Sequence, residues 1–484
     1  MNREFEQLLD KVRREGGEIR SDSREVGKGD IFVAVPGVNA DGARFIPPAV
    51  EAGASTIVCL PGGAEAEAAR AAGCTVVHHD DPREALWRLA EARWHTGSLP
   101  LRVLGVTGTN GKTTSAYLLE HLFTATGHKV GVLGTVSYRW PGHCEAAPLT
   151  TPDPLRVHAM LAAMAQAGVD IAVMEVSSHA LEQQRVCGVP FAGASFSNLT
   201  HDHLDFHQDM ESYFRAKSRL FLELPRADKV MAINGDDPWG RRLLELCPRA
   251  LSFGLQKALP QQRHLWGELL SAGTDGCHLR MHLDGQQWEL RSPLVGAFNA
   301  SNLLSVQALA LELGLMPDDL RHLEDFHGVC GRLERVPNAR KLHVFVDYAH
   351  TPDALVNVLK ALRGAGFKRI VTVFGCGGNR DRTKRPIMGE AVARYSDVAV
   401  LTSDNPRFED PEAILKDVLP GLREAREVVV EVDRRKATAK AVEMLGPDDA
   451  LLIAGKGHED YQIIQGTKHH YSDQEVVREL LGCA

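Results

Sequence analysis

Residues Gly105 to Thr114 read GVTGTNGKTT, a stretch that leaves the backbone little conformational choice. Gly111, Lys112 and Thr113 form the Gly-Lys-Ser/Thr end of a P-loop. There, backbone N–H groups cradle phosphate oxygens, the lysine reaches the terminal phosphates and the threonine hydroxyl meets Mg2+. Gly108, Thr109, Asn110 and Thr114 complete the loop. An apolar run from Leu101 to Val106 enters it as a strand. A helical pattern leaves it with Ser115, Leu118, Leu119, Leu122 and Phe123 on one face. A bound phosphate would then sit on a helix N-terminus, and this part of the chain must be α/β. The strict GxxxxGK spacing wants glycine where Val106 stands; the glycines fall at 105 and 108 instead.

A chain of 484 residues exceeds one ordinary core, so roughly two to four domains are expected. Three sections are visible. Residues 1–99 hold DIFVAVPG (Asp30 to Gly37) and STIVCLPGG (Ser55 to Gly63) around a helix-like PPAVEAGA, a small α/β unit. Residues 100–331 continue from the P-loop through the runs at Lys129 to Gly134, Ile171 to His179, Ala192 to Thr200 and Lys229 to Gly235, predicting a mostly parallel sheet. An antiparallel hairpin follows, with its turn at Asp284-Gly285. Residues 332–484 repeat the α/β theme with apolar runs beginning at His343, Arg369, Asp397, Glu427 and Asp449. Open α/β sheets bind ligands beyond the carboxyl ends of their strands, so Asp347, Arg380, Asp404 to Arg407 and Gly455 to Glu459 are expected to line one cleft. The fold class is α/β in three domains.

Composition excludes several function classes. Hydrophobic residues at 44% and charged residues at 24% are those of a soluble globular protein. The opening MNREFEQLLDKVRREGG has no apolar core for a signal peptide, and no run approaches membrane-spanning length, so a cytoplasmic protein with no membrane partner is expected. Nine scattered cysteines, odd in number and without a CxxC pair, point to reduced thiols. A net charge of −8 gives no general attraction for nucleic acid, so the partners are small molecules and any anion is held by local groups and metal. The chain is expected to act as a monomer.

Four places carry chemistry. Glu175 ends the apolar run Ile171 to Met174, where an ionised carboxylate needs a partner or a metal. It is either a metal ligand facing the P-loop from the neighbouring strand or a strand-end surface salt bridge. NLTHDHLDFH, Asn198 to His207, holds three histidines and two aspartates. Their spacing fits neither HExxH nor a cysteine-assisted zinc site, and oxygen-rich Mg2+ is the metal expected beside a P-loop. Either one of His201, His203 and His207 joins a Mg2+ shell or all three are structural. Lys217, in MESYFRAKSRLFLEL, reads as one charge on an amphipathic helix. In SDNPRFEDP, Ser403 to Pro411, a turn at Asp404-Asn405-Pro406 delivers Arg407 past a strand, either to grip a carboxylate or as a solvated surface arginine.

In order along the chain, TGTNGKTT, MEVSSH followed by Gln183 and Arg185, NLTHDHLDFH, GAFNASN (Gly296 to Asn302), GRLE (Gly331 to Glu334), DYAHTP (Asp347 to Pro352) and GCGGNRDRTKRP (Gly375 to Pro386) resemble the Mur ligases. These are the ATP-dependent amide-forming enzymes of peptidoglycan precursor synthesis. DSR (Asp22 to Arg24), GDIFVAVPG and DNPR are similar to the branch that adds meso-2,6-diaminopimelate to UDP-N-acetylmuramoyl-L-alanyl-D-glutamate. The resemblance implies that ATP converts the D-glutamate side-chain carboxylate to an acyl phosphate, which the diaminopimelate amine attacks. It also implies a place in cell wall biogenesis, and so in cell shape and division.

The same resemblance assigns residues. Lys112 meets the phosphates, Thr113 and Glu175 the magnesium, and His203 a second magnesium. Lys217 falls on the family's carbamylated lysine, whose CO2-derived carbamate attracts Mg2+ where an ammonium would repel it. With Lys112, Glu175 and His203 it makes the catalytic set. Asn299 and Asp347 match the adenosine side. Ser21, Ser23, Val38, Asn39 and Ala40 match the uridine diphosphate site of the first domain, Ser21 standing where some relatives have an apolar residue. Thr150, Thr151, Ser177, Gln183 and Arg185 match the sugar and peptide. Arg380, Asp404, Asn405, Pro406, Arg407, Gly455 and Glu459 match the pocket for the incoming amino acid, on a Rossmann-like C-terminal domain. Diaminopimelate carries a distal carboxylate that lysine lacks, so Arg407 argues against the lysine-adding alternative. A P-loop phosphotransferase is the alternative from another class.

Overall fold

In the computed structural model, which describes residues 3–37, 41–257 and 263–482, the P-loop strand spans Arg102–Thr107. It runs parallel between Ile171–Glu175 and Phe191–Phe196, with Val106 opposite Glu175 and Thr107 opposite Phe196. Parallel pairing continues on one side through Pro225–Asn234 to Leu251–Gly254, and on the other to Val130–Leu133. Two antiparallel strands, Ser137–Trp140 and His143–Ala146, finish that second edge. Strands covered on both faces need continuous apolar runs rather than alternation, and all five residues of Ile171–Glu175 are buried. Helix Lys112–Ala125 buries the predicted face, Ser115, Leu118, Leu119, Leu122 and Phe123.

A smaller parallel sheet precedes this one, in the order Ile19–Arg20, Ile31–Val33, Thr56–Cys59, Thr75–His78. Phe5, Leu8, Leu9 and Val12 recur at helical spacing on Arg3–Glu15. They share a core with Val33, Val58, Val77 and with Leu86 and Leu89 of helix Pro82–Trp94. Both sheets belong to one compact unit made of Met1–Gly254, Ala258–Leu265 and Ser305–Asp319.

The other unit comprises Leu255–Lys257, Trp266–Leu304 and Leu320–Ala484. Its hairpin pairs Gly276–Leu283 with Gln286–Ser292 around Asp284 and Gly285, at φ of 50° and 80°, the two-residue turn that Asp-Gly favours. Its six-stranded sheet has the order Glu334–Arg335, His343–Asp347, Asp449–Ala454, Arg369–Phe374, Val398–Leu401, Val428–Val430. Every pair is parallel except the first. The carboxyl ends of four central strands therefore share one edge, from which residues 348–350, 375–380, 402–407 and 455–459 depart. Among the described residues no helix is long and apolar enough to cross a membrane, and all eight cysteines are free.

Candidate active site

Two glycines shape the phosphate loop. Gly108 and Gly111 sit at φ of 147° and 88°, and a Cβ on Gly108 would lie 1.9 Å from the Ser197 hydroxyl oxygen. Val106 is a buried strand residue paired opposite Glu175, so the turn takes its glycine at 108, which accounts for the irregular spacing. The segment leaving strand Phe191–Phe196 clamps the loop. Ser197 Oγ donates to the Asn110 carbonyl at 2.6 Å, Asn110 N to Asn198 Oδ1 at 3.0 Å, and Thr109 N to the Asn198 carbonyl at 2.9 Å.

Lys112 Nζ donates to the Gly108 and Thr109 carbonyls, both at 2.9 Å, and Lys217 Nζ donates to the same Gly108 carbonyl at 2.9 Å. Helix Met210–Leu222 carries Lys217 on its buried face with Tyr213, Phe214, Ala216, Leu220 and Phe221. Asp209 caps that helix, accepting from Ser212 N at 2.7 Å. The solvated-helix reading of Lys217 is corrected: only 1% of the residue is exposed. The Tyr213 ring centroid lies 4.8 Å from Nζ, and its hydroxyl shares a hydrogen bond with Thr109 Oγ1 at 3.2 Å. Burial, then the charge of Lys112, push Lys217 well below the usual lysine pKa against a smaller opposing pull from Asp202.

Glu175 is 1% exposed, which excludes the surface salt bridge. Its carboxylate accepts from Thr113 Oγ1, Thr135 N and Thr135 Oγ1, each at 2.9 Å. Gly134 leaves it room, since a Cβ there would stand 2.4 Å from Oε1. The Thr113 hydroxyl and the Glu175 carboxylate thus offer hard oxygens within one bond of each other, a donor set that fits Mg2+.

The histidine loop divides. His207 is buried and stacks on Tyr213 at 5.0 Å between ring centroids. His203 keeps 45% of its side chain exposed, with its ring 4.9 Å from that of His179 and Nε2 3.5 Å from Asp202 Oδ2. His201 is exposed. Among the described residues no three His, Cys, Asp or Glu side chains converge on a metal position.

A second network runs from the backbone of Glu175. Thr151 Oγ1 donates to the Glu175 carbonyl at 2.7 Å and accepts from Ser177 N at 3.0 Å. Arg185 donates to the Thr151 carbonyl at 3.1 Å and twice to Gln183 Oε1, at 3.1 and 2.6 Å. Thr150 and Thr135 share a hydroxyl hydrogen bond at 3.1 Å. Thr150, Thr151, Ser177, Gln183 and Arg185 are therefore one connected group beside the carboxylate. Ser21 is exposed and Ser23 opens the short turn Ser23–Glu25, capped by Asp22. Val38, Asn39 and Ala40 lie outside the described residues.

In the second unit, a cavity of about 350 Å3 opens at the strand ends, lined by Arg380, Asp404, Asn405, Arg407, Gly455 and Glu459 together with Tyr348, Cys376 and others. Asp347 and Pro406 do not line it. Asp347 is buried, accepting from Leu333 N at 2.6 Å and Ala349 N at 2.8 Å, and burial raises its pKa against the pull of Arg332 and these donors. Asn299 is also buried, donating to the Val295 carbonyl at 2.9 Å and accepting from Asn302 at 3.1 Å.

Arg407 is half-buried at a left-handed φ of 55°, a conformation costing on the order of 1 kcal/mol outside glycine. Its backbone is fixed there by Ile463 and Gln465, and its Nη1 donates to the Gly378 carbonyl at 2.9 Å. A Cβ on Gly378 would fall 1.9 Å from the Pro406 carbonyl oxygen, so the two loops interlock only around glycine. The freely solvated arginine is thereby excluded.

Sequence reasoning missed three supporting positions. Thr135 and Ser197 each follow a strand of the parallel sheet, the rule that had already marked Glu175. Arg385 is 1% exposed and bridges Glu409 and Asp417 at 2.8 to 3.0 Å beside the cavity. Lys456, expected with Gly455 to Glu459 to line the cleft, is instead fully buried and does not line the cavity.

The chain matches family models described as Mur ligase family, catalytic domain over residues 17–94, Mur ligase middle domain over 106–310, and Mur ligase, glutamate ligase domain over 331–457. It is 56% identical over 463 residues to the UDP-N-acetylmuramoyl-L-alanyl-D-glutamate--2,6-diaminopimelate ligase of Lawsonia intracellularis, covering 96% of this chain and 95% of that one. A solved structure of a ligase of the same name superposes with a TM-score of 0.69 at 32% identity, covering 96% of this chain and 94% of that one. A MurF ligase from Thermotoga maritima, solved with ADP, shares the fold at a TM-score of 0.59 and 18% identity, with 96% of each chain covered. The chain belongs to the Mur ligase family.

Proposed function

We propose that this chain is an ATP-dependent amide-forming ligase that adds meso-2,6-diaminopimelate to UDP-N-acetylmuramoyl-L-alanyl-D-glutamate through an acyl phosphate, in peptidoglycan precursor synthesis. The observation that carries the reading is the convergence of Lys112, Lys217, Thr113 and Glu175 on one phosphate loop, in a chain 56% identical to a ligase of that name along nearly its whole length. That likeness disfavours the lysine-adding and phosphotransferase alternatives.

Moving a γ-phosphoryl group onto a carboxylate brings two anions together, so catalysis is chiefly positioning and charge neutralisation. Lys112 and the N-terminus of helix Lys112–Ala125 supply positive charge, while Gly111 to Thr114 present backbone donors. Mg2+, when bound, would be held by Thr113 and Glu175 with His203 serving a second ion, and would neutralise phosphate charge.

Burial makes Lys217 a better nucleophile than a solvated lysine, because lowering its pKa raises the share of the uncharged amine. Its nitrogen lone pair attacks CO2 and an N–C bond forms. One C=O pair moves to oxygen and one nitrogen proton leaves to solvent, so the neutral amine becomes an anionic carbamate suited to Mg2+.

Asn299 and Asp347 serve the adenosine. Ser21, Ser23, Val38, Asn39 and Ala40 hold the uridine diphosphate, and the Thr151–Ser177–Gln183–Arg185 network with Thr150 orients the sugar and peptide. Arg407 pairs with the distal carboxylate of diaminopimelate in the cavity completed by Arg380, Asp404, Asn405, Pro406, Gly455 and Glu459. The working protein is a cytoplasmic monomer with domains at 1–99, 100–331 and 332–484, supporting cell shape and division through the wall. Omitting each substrate in turn tests the reading. Sustained phosphate release should need ATP, the UDP-linked dipeptide and diaminopimelate together; release that continues without the amino acid would favour a phosphotransferase.

A further inference from the structure

Lys456 follows Gly455 at the end of strand Asp449–Ala454 and is fully buried behind the cavity rather than lining it. Its Nζ donates to the Tyr461 carbonyl at 2.7 Å and to Asn405 Oδ1 at 3.1 Å, and lies 3.3 Å from Asp404 Oδ1 and 3.5 Å from Glu459 Oε2. The ammonium is thus held by two hydrogen bonds and faces two carboxylates at ion-pair distance. Asn405 is fixed in turn. Its Oδ1 also accepts from Ile463 N at 2.9 Å, which turns Nδ2 onto Glu459 Oε2 at 3.0 Å. A buried ammonium is costly unless paired, and an apolar side chain of similar volume often fills such a place at no loss of stability. Its presence here points to a need for the charge itself.

Resting on the diaminopimelate reading above, we infer that Lys456 is a specificity-setting positioning residue: by sharing one ammonium between Asp404 and Glu459 it holds the acidic wall at one net negative charge and fixes Asn405 within it. Such a wall, facing Arg407, matches a ligand end that carries both an ammonium and a carboxylate. Without Lys456 the wall gains a second negative charge, which favours an end bearing an ammonium alone and repels the carboxylate.

The test is steady-state kinetics of the full-length Lys456→Met protein with ATP, the UDP-linked dipeptide and either diaminopimelate or L-lysine. The KM for diaminopimelate should rise about tenfold with kcat within about threefold and the KM for ATP unchanged, while the kcat/KM ratio shifts toward lysine. Adding Glu459→Gln to that variant restores the net charge and should recover part of the discrimination, a rescue that a purely structural role would not give. Glu459→Gln alone makes the wall neutral and should shift the ratio away from lysine, which keeps the proposal testable if Lys456→Met fails to fold. Parallel loss with both amino acids, or discrimination unchanged by any of these substitutions, overturns the role of Lys456. A wild-type protein that does not use diaminopimelate overturns the functional reading instead.

Discussion

Lys112 and Lys217 direct their side-chain nitrogens at a single acceptor, the Gly108 carbonyl, each at 2.9 Å. Burial first, and then repulsion by the Lys112 charge, lower the proton affinity of Lys217, while Lys112, half-buried in the loop, stays available to phosphate. A folded-state pKa below the unfolded 10.5 means stability that is fully present above that value and lost as pH falls toward the lowered one. In CO2-free buffer, urea unfolding should therefore show stability rising more steeply with pH, as pH approaches 10.5 from below, than in Lys217→Met. Equal slopes in the two proteins would contradict the lowered proton affinity of Lys217. Activity of the unsubstituted protein should fall on CO2 removal and return with bicarbonate.

Glu175 depends on Thr135 for two of its three donors. Thr135→Val removes the hydroxyl and leaves a buried carboxylate oxygen under-satisfied, a loss of about 1 to 3 kcal/mol measurable by thermal or urea unfolding. Glu175→Gln should instead lower kcat about 100-fold and weaken Mg2+ binding while leaving the KM for diaminopimelate near normal. A Glu175→Gln enzyme of normal kcat would remove this carboxylate from the account.

Arg407 separates recognition from folding, because its backbone is left-handed. Arg407→Gly relieves that strain and should be about 1 kcal/mol more stable than Arg407→Ala. Both should lose about 1000-fold in kcat/KM for diaminopimelate with the KM for ATP unchanged. Arg407→Lys should not restore activity, since a point charge cannot reproduce the bidentate fork. Retained diaminopimelate use in the glycine variant would place the carboxylate elsewhere.

His158 offers a pH test away from the chemistry. The ring is fully buried, with Nδ1 2.7 Å from Thr96 Oγ1 and Nε2 3.1 Å from the Cys187 carbonyl, and burial pushes its pKa down to about 4. A histidine lowered from 6.5 gives stability that is present above pH 6.5 and lost as pH falls through 4, about 3 kcal/mol across the window. His158→Gln should lack that part of the acid sensitivity in urea unfolding between pH 7 and 4.5. An unchanged acid slope would show that His158 is not held neutral.

Much of this architecture was legible because buried parallel strands are short unbroken apolar runs. Ile171 to Met174 ending on Glu175, and the runs ending near Phe374, Leu401 and Ala454, marked the strand ends from which the site residues leave. Short strands without an apolar run went unread: Ser137–Trp140, His143–Ala146 and Thr467–His470 are partly or wholly exposed. Lys217 carried a signal that went unused, since Tyr213 four residues before it and Leu220 and Phe221 after it draw an apolar stripe straight through the charge. Lys456 was placed at the cleft by the segment Gly455 to Glu459, but its burial was not legible, because Asp404 and Asn405, about fifty residues away, meet it only once the sheet has formed.

The central claim is that a carboxylate activated at the Gly108 loop is joined to diaminopimelate. Its most direct measurement is the product mass after incubating the protein with ATP, the UDP-linked dipeptide and an equimolar mixture of diaminopimelate and L-lysine. The account predicts a single new species equal to the dipeptide plus diaminopimelate less one water, formed with one ADP and one phosphate per product. A lysine adduct in comparable amount, or a phosphorylated dipeptide as the final product, would contradict it.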